Sequence, residues 1–227
     1  MRPSIGFRRV VRANHRAQMD GLANIAPLSD DTTEGVSLFS TLPHHLLDKD
    51  QRIVEIASAL PGEGTSTLAR EIALLMGSRF SKSVMLVRVL DGPCSELGLE
   101  SVVYGNIPLD CVVKTDPTLS TLATTTLCVG NPTIRQLFDE RQLNLLFAQM
   151  VKLARLVILD TPPILSSVTA AVLAPKTSGV LLVIRAGKTR AITVERALRV
   201  IERGGGRILG VVLNRGKAGR GSEVDAR

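Results

Sequence analysis

The amino-acid sequence predicts an α/β fold: a doubly wound, mostly parallel sheet with helices on both faces. Apolar, β-branched runs of strand length recur along the chain, and segments with helical spacing of apolar residues separate them. The runs are apolar almost throughout, which is typical of strands covered on both faces. Strands that alternate with helices form parallel sheets through right-handed crossovers.

The expected elements follow this pattern in order. The predicted strands are residues 52–59, 83–89, 124–130, 155–160, 179–184 and 207–214. The predicted helices are residues 65–80, 133–154 and 189–206, and the last should end at a glycine stop near Gly204. Between the second and third strands the chain is expected to be irregular, with short helical pieces.

Length and composition predict one domain of ordinary size with an aliphatic core. The chain has 227 residues, of which 44% are hydrophobic but only 3% aromatic. We expect a basic, partly disordered arm and connector at 1–50, the domain at 51–216, and a disordered tail at 217–227. Apolar runs are far below the ~20 residues that span a bilayer, and no secretory signal is evident. Three isolated cysteines suggest a reducing cytoplasm, so a cytoplasmic, soluble protein is expected.

The positive charge is concentrated near the N-terminus. The net charge is +7, and the first 19 residues contain no acid and five arginines: Arg2, Arg8, Arg9, Arg12 and Arg16. Such an arm could contact anionic lipid or remain a solvated, poorly ordered terminus, and the second interpretation is favoured. No interleaved aromatics or recognition motif accompany it, so no nucleic-acid partner is expected.

The stretch "ALPGEGTST" (59–67) is typical of a phosphate-binding loop between a strand and a helix. Glycines open such a loop so that its N–H groups converge on phosphate at the helix N-terminus. The predicted nucleotide-binding residues of the loop are Pro61, Gly62, Glu63, Gly64, Thr65, Ser66 and Thr67. Ser66 stands where a Mg²⁺ ligand belongs, but Thr65 occupies the position of the usual lysine. A plain strand–turn–helix connection is the alternative interpretation.

A second acidic motif supports the phosphate interpretation. "LVILDTPP" (156–163) is an apolar strand that ends in Asp160, as in a Walker B motif, whose carboxylate holds Mg²⁺. Asp160 and Ser66 are therefore the predicted metal ligands, with Asp160 also the catalytic candidate. The two motifs together predict a P-loop NTPase fold, with ATP and Mg²⁺ as weakly bound cofactors.

The order and spacing of four segments resemble the bacterial tyrosine kinases, P-loop proteins of capsule and exopolysaccharide biosynthesis. The segments are "SALPGEGTST", "DTPPILSSVTAAVLAP", "GVLLVIRAGKT" and "RILGVVLNR". The resemblance implies the MinD/ParA-like form of the P-loop NTPase fold. It also implies that Asn214, and Arg215 beside it, lie near the adenine base. It also implies a membrane polysaccharide co-polymerase, or chain-length regulator, as partner at the inner face of the plasma membrane. Membrane contact would be indirect or through the basic arm, and self-association stays open.

Several positions depart from the family pattern, and they are the chemical ones. Thr65 replaces the loop lysine, and "VMLVRVLDGP" (84–93) places Arg88 and Leu90 where the family has two aspartates. Thr169 stands at a further aspartate position, and the C-terminal segment lacks the tyrosine cluster, Tyr104 being the only tyrosine. These departures indicate a degenerate member.

Three hypotheses remain after the sequence alone. The favoured one is a pseudokinase that regulates or scaffolds polysaccharide synthesis and export. The second is an active, ATP-dependent tyrosine kinase in which Arg88, or a lysine from a neighbouring subunit, replaces the missing lysine and Asp91 replaces a Mg²⁺ ligand. The third is a MinD/ParA-like positioning ATPase, which is least favoured because no lysine lies between Ser58 and Thr65.

Overall fold

The computed structural model describes residues 7–11, 53–79, 83–92, 97–105, 107–129 and 140–216. The first part of the predicted 133–154 helix, the tail at 217–227 and most of the N-terminal arm lie outside these residues.

The described residues form one sheet whose strand order is β1-β8-β7-β2-β6-β3-β5-β4. The strands are β1 (Phe7–Val11), β2 (Ile53–Ser58), β3 (Val84–Leu90), β4 (Lys114–Asp116), β5 (Leu119–Cys128), β6 (Leu156–Asp160), β7 (Gly179–Arg185) and β8 (Ile208–Gly216). The pairs from β8 to β5 are parallel, while the two outermost strands pair antiparallel. The mostly parallel sheet that the sequence predicts is therefore confirmed.

Helices connect the strands. They are α1 (Thr65–Arg79), α2 (Leu99–Gly105), α3 (Glu140–Leu153), α4 (Val168–Leu173) and α5 (Ala191–Arg203). Short 3₁₀ turns occur at Leu109–Cys111 and Ala174–Lys176. Helix α5 ends at Gly204, and Gly205 adopts a φ of +83°, which fits the predicted glycine stop.

Both faces of the sheet are covered, because alternate residues of each strand enter different cores. On one face α1 packs against β2 and β6 through a cluster that includes Leu68, Ile72 and Ile158. On the other face α3 packs through Leu146 and its neighbours, and α4 and α5 fill the adjoining part. The doubly wound arrangement follows from this alternation and brings the strand ends that precede α1 and α4 to the same edge.

Three elements differ from the sequence-based expectation. Strand β1 comes from the basic arm, which was expected to be a poorly ordered terminus, and it forms the edge of the sheet by pairing with β8. Strand β4 and the first half of β5 form a hairpin where the chain was expected to be irregular. This hairpin is rich in threonine, whose β-branched side chain suits a half-exposed edge but does not register as an apolar run. Helix α4 lies in the segment between β6 and β7, where no helix was expected from the sequence.

Two cysteines, Cys111 and Cys128, lie among the described residues. Cys111 is a free, exposed thiol, whereas Cys128 is disulfide-bonded, so the expectation of isolated thiols is wrong for Cys128. Among the described residues, no helix has the length and apolarity that crossing a bilayer requires.

Candidate functional site

The candidate site begins at the turn between β2 and α1. Gly62 and Gly64 have φ angles of +78° and +92°, a conformation that side chains with a Cβ rarely adopt. Helix α1 starts at Thr65, and its first turn is closed by a hydrogen bond of 3.0 Å from the Leu68 N–H to the Gly64 carbonyl. The loop therefore has the shape that a phosphate-binding turn needs, with free N–H groups at the start of a 15-residue helix.

Glu63 anchors this loop to the rest of the sheet rather than facing a ligand. Its carboxylate accepts a 2.8 Å hydrogen bond from the Leu60 N–H and another from the Thr189 hydroxyl. The Arg185 N–H donates to the same group at 3.4 Å. Glu63 is only 3% exposed, so these contacts satisfy a buried charge and tie the loop to the end of β7.

Asn214 holds the loop from a second side. Its side-chain Nδ2 donates a 2.7 Å hydrogen bond to the main-chain carbonyl of Glu63. A Cβ placed on Gly64 would lie 2.2 Å from this nitrogen, so the close approach requires glycine. Asn214 is buried and supports the loop, while Arg215, at a φ of +58°, is exposed beside it.

The loop opens on a cavity of about 400 Å³ at the carboxyl ends of β2, β3 and β6. The predicted site residues that line it are Pro61, Gly62, Gly64, Thr65, Ser66, Thr67 and Asp160. The structure thus brings together most of the predicted phosphate and metal ligands. Glu63, Asn214 and Arg215 do not line this cavity.

Asp160 ends β6 as the sequence predicts, and it is 7% exposed. Burial raises the pKa of its carboxyl above the usual range, and a hydrogen bond with Ser66 and the charge of Arg88 oppose that rise. The serine and the aspartate of the two predicted motifs are therefore direct neighbours, which is the arrangement that Walker motifs need.

A buried acid that the sequence analysis did not single out lies behind Asp160. Glu55 of β2 is fully buried, and one of its oxygens accepts a 2.9 Å hydrogen bond from the Thr161 hydroxyl. Its other oxygen has no partner in the part of the chain that the structure describes. Desolvation raises the pKa of Glu55 to about 8, and the Thr161 bond only partly offsets this. A charged residue within an otherwise apolar, doubly covered strand is the sequence signal that could have revealed it.

The positions that depart from the family pattern also lie at this edge. Arg88 and Leu90, at the end of β3, line the cavity together with Asp91. Asp91 accepts a 2.7 Å hydrogen bond from the Thr169 hydroxyl, which joins the end of β3 to helix α4. Arg88 pairs in register with Asp160 on the neighbouring strand.

The donor set fits a magnesium ion poorly. Ser66 and Asp160 supply two oxygens, and Mg²⁺ in proteins uses one or two carboxylates together with phosphates and water. However, the charged group that acts on Asp160 is the Arg88 guanidinium and not a second carboxylate. Among the described residues, no group of three or more His, Cys, Asp and Glu side chains suits a metal ion. A cation beside the principal carboxylate ligand opposes the binding of another cation.

A second, larger cavity of about 660 Å³ adjoins the first on the α1 side. Arg88 and Asp160 line both cavities. Arg70, on the wall of the larger one, is already engaged by Asp116 at 2.9 Å. The larger cavity is therefore a continuation of the 400 Å³ cavity towards the β4–β5 hairpin.

Comparison with known proteins identifies what this architecture is similar to. The sequence matches no protein-family model. It is 28% identical to the tyrosine-protein kinase CpsD of Streptococcus agalactiae over 177 residues, 74% of this chain and 76% of that protein. It is 25% identical to the tyrosine-protein kinase YwqD of Bacillus subtilis over 218 residues, 92% of this chain and 91% of that protein.

Solved structures agree with the sequence relatives. The kinase domain of the Escherichia coli tyrosine kinase ETK superposes with a TM-score of 0.71 at 24% identity, covering 93% of this chain and 83% of that one. The VpsO kinase domain gives a TM-score of 0.67 at 28% identity, covering 82% of this chain and 95% of that one. The cell-division protein MinD of Aquifex aeolicus shares the fold at a TM-score of 0.55, 16% identity, 70% of this chain and 67% of that one.

The sheet order, the loop and these likenesses define the chain as a domain of the P-loop NTPase fold. Within that class, the predicted resemblance to the bacterial tyrosine kinases is confirmed.

Proposed function

We propose that this chain is a degenerate bacterial tyrosine kinase that regulates or scaffolds polysaccharide synthesis and export, with weakened nucleotide binding and little or no kinase activity. The observation that carries the proposal is the contrast within one cavity. The loop is fully built and anchored by Glu63 and Asn214, yet Thr65, Arg88 and Leu90 occupy the positions of the catalytic lysine and acids.

The missing lysine bears on both binding and chemistry. A charge-assisted hydrogen bond to phosphate contributes about 1.5–3 kcal/mol, so its loss lowers ATP affinity roughly 10- to 100-fold. Phosphoryl transfer should suffer more, because the cation acts where charge develops in the transition state. The Thr65 side chain lines the cavity but supplies no charge there.

The test measures ATP binding by calorimetry and phosphotyrosine by immunoblot on the purified chain, with and without the Asp160→Asn substitution. We expect weak or undetectable ATP binding and no phosphotyrosine in either form. Asp110→Asn, which removes an exposed carboxylate from a 3₁₀ turn, is the matched control. Tight binding together with tyrosine phosphorylation that Asp160→Asn abolishes would overturn the pseudokinase proposal.

An active tyrosine kinase is the second candidate, and one observation favours it. Arg88 and Asp91, which this hypothesis names as substitutes within the chain, both line the cavity with Asp160. It predicts phosphotyrosine on a partner protein, because the chain has only Tyr104 as an acceptor of its own. Incubation with ATP and a tyrosine-rich peptide separates the two candidates. A positioning ATPase remains least favoured, since the likeness to MinD supports the fold alone.

The proposed location is the inner face of the plasma membrane, through a membrane polysaccharide co-polymerase as partner. The support is the likeness to tyrosine kinases of this family. Fractionation of cells that carry or lack such a co-polymerase tests the proposal. The chain should move to the membrane fraction only where the partner is present. Equal distribution in both cell types would count against it.

A further inference from the structure

Arg88 lies near the end of β3 and lines the 400 Å³ cavity, which is called the phosphate cleft from here on. Alternate residues of β3 face α1, and Val84 and Leu86 belong to the core on that side. Arg88 continues this row beyond the core, at the strand end, and its side chain is exposed. In the same way Asp160 continues the row of Ile158 on β6, so the two charged groups end adjacent, in-register strands.

Arg88 is also the positively charged residue that shares the 400 Å³ cavity with the loop. Of the described residues that line the 400 Å³ cavity, it alone carries a positive charge. Ser66 and Thr67, from the first turn of α1, line that cavity with it. In such a cavity, phosphate oxygens can accept hydrogen bonds from the N–H groups of the helix N-terminus. They can also accept two parallel hydrogen bonds from the arginine guanidinium.

The same position disfavours a divalent metal ion. Arg88 stands where the family pattern has an aspartate, which would share the role of metal ligand with Asp160. The replacement of a carboxylate by a guanidinium changes the local charge from −1 to +1. The Ser66 hydroxyl and the Asp160 carboxylate remain, and Arg88 lies in register beside Asp160 on the neighbouring strand and lines the same cavity. In other P-loop proteins a magnesium ion attracts the phosphates electrostatically. Here the Arg88 guanidinium can supply that attraction.

We propose that the cleft binds the triphosphate chain of a nucleotide, or a free polyphosphate anion, without a divalent metal ion, and that Arg88 supplies the positive charge. This inference rests on the proposed function, because it takes the loop to be a weakened phosphate site. It adds that the site is selective for the metal-free anion, since a magnesium complex presents less negative charge to Arg88.

The test is calorimetric titration of the whole chain with sodium tripolyphosphate, and separately with ATP, each in excess EDTA and in excess MgCl₂. We expect tripolyphosphate to bind in EDTA and to bind no better in MgCl₂. Equal affinity for tripolyphosphate and ATP identifies the phosphates as the recognised group. Tighter binding of ATP adds a contribution from the nucleoside.

Substitutions at Arg88 assign the charge. Arg88→Gln should weaken tripolyphosphate binding in EDTA roughly 10- to 100-fold, while Arg88→Lys should retain part of it. Arg196→Gln removes an exposed arginine from α5 and should change the affinity by less than about twofold, because exposed distant charges are screened. Arg88→Asp should abolish binding in EDTA and make any remaining binding dependent on MgCl₂. Thermal unfolding followed by circular dichroism checks that each variant is folded.

The outcomes separate this inference from the proposed function. Binding of tripolyphosphate only in MgCl₂, unchanged binding by Arg88→Gln, or no binding in either buffer would each overturn the metal-free site. None of these results is evidence of kinase activity, so the pseudokinase proposal would stand. Phosphotyrosine that requires MgCl₂ and Asp160 would overturn both.

Discussion

The side-chain amide of Asn214 lies 2.7 Å from the main-chain carbonyl of Glu63, which joins the last strand of the sheet to the middle of the phosphate loop. Residues 151 positions apart in sequence thus fix one another. The resemblance to the kinases implies an adenine contact at Asn214, whereas the described contact supports the loop. The consequence can be measured as a coupling between Asn214 and Gly64.

Gly64→Ala should destabilise the fold by two separable effects. Positive φ costs a residue with a Cβ about 1–2 kcal/mol, and the added Cβ would also meet the Asn214 amide at 2.2 Å. Asn214→Ala removes the clash but leaves the backbone strain. In urea unfolding, Gly64→Ala should therefore cost less in the Asn214→Ala background than in the parent chain. Strict additivity of the two substitutions would contradict the packing described here.

Glu63→Ala should loosen the loop and lower stability. The substitution removes the acceptor of the Leu60 N–H and of the Thr189 hydroxyl, at a cost of about 0.5–1.5 kcal/mol for each lost hydrogen bond. Hydrogen exchange of the Leu60 amide should accelerate more than that of the core strands. Glu195→Ala on the exposed face of α5 is the control, and equal effects of both changes would argue against the anchor.

Thr65→Lys should strengthen ATP binding. The side chain at this position lines the cleft, so a lysine there can reach the phosphates and restore about 1.5–3 kcal/mol. Thr65→Gln, of similar length but without charge, is the control. Calorimetry that shows no gain for the lysine variant would mean that the rest of the pocket has lost its capacity to bind nucleotide.

Glu55 should make stability fall as pH rises. Its pKa is raised to about 8 in the folded chain, against a usual value of 4.5, so the folded state binds the extra proton between these two pH values. Stability therefore decreases as pH rises through this window, because ionisation of the buried acid becomes a cost of folding. Glu55→Gln should leave the melting temperature nearly unchanged at pH 5 and raise it at pH 8.

The size of the Glu55 effect can be judged from the melting temperature. Each kcal/mol regained should correspond to a shift of about 2–4 °C for a domain of this size. Differential scanning calorimetry across the pH range provides the measurement. Glu195→Gln, an exposed carboxylate on α5, is the control. A Glu55→Gln gain that is equal at both pH values would contradict the buried, protonated acid.

The central strands could be predicted because each is an apolar run covered by helices, as in β2, β6 and β7. Strand β1 could not, because an arginine-rich segment becomes a strand only by pairing with β8, a long-range contact. The β4–β5 hairpin escaped because its threonines make a strand without an apolar run. The local sequence pattern therefore predicted the strands whose own residues are apolar. It missed the strands that form only by pairing with another strand.

The candidate site divides in the same way. The glycines, Ser66, Thr67 and Asp160 could be assigned from motifs, since each motif fixes its own local geometry. The supporting contacts could not, because Thr189 reaches Glu63 across 126 positions of sequence. Likewise, only the β3–β6 register places Arg88 beside Asp160.

The threefold anchoring of Glu63 has a kinetic consequence. A loop held from the end of β7, from β8 and from its own preceding turn has little conformational freedom left to lose, so the proposed anion would bind to a loop that is already in place. Capture should then be a single encounter step, governed by electrostatic attraction and salt concentration, without a slow closing phase.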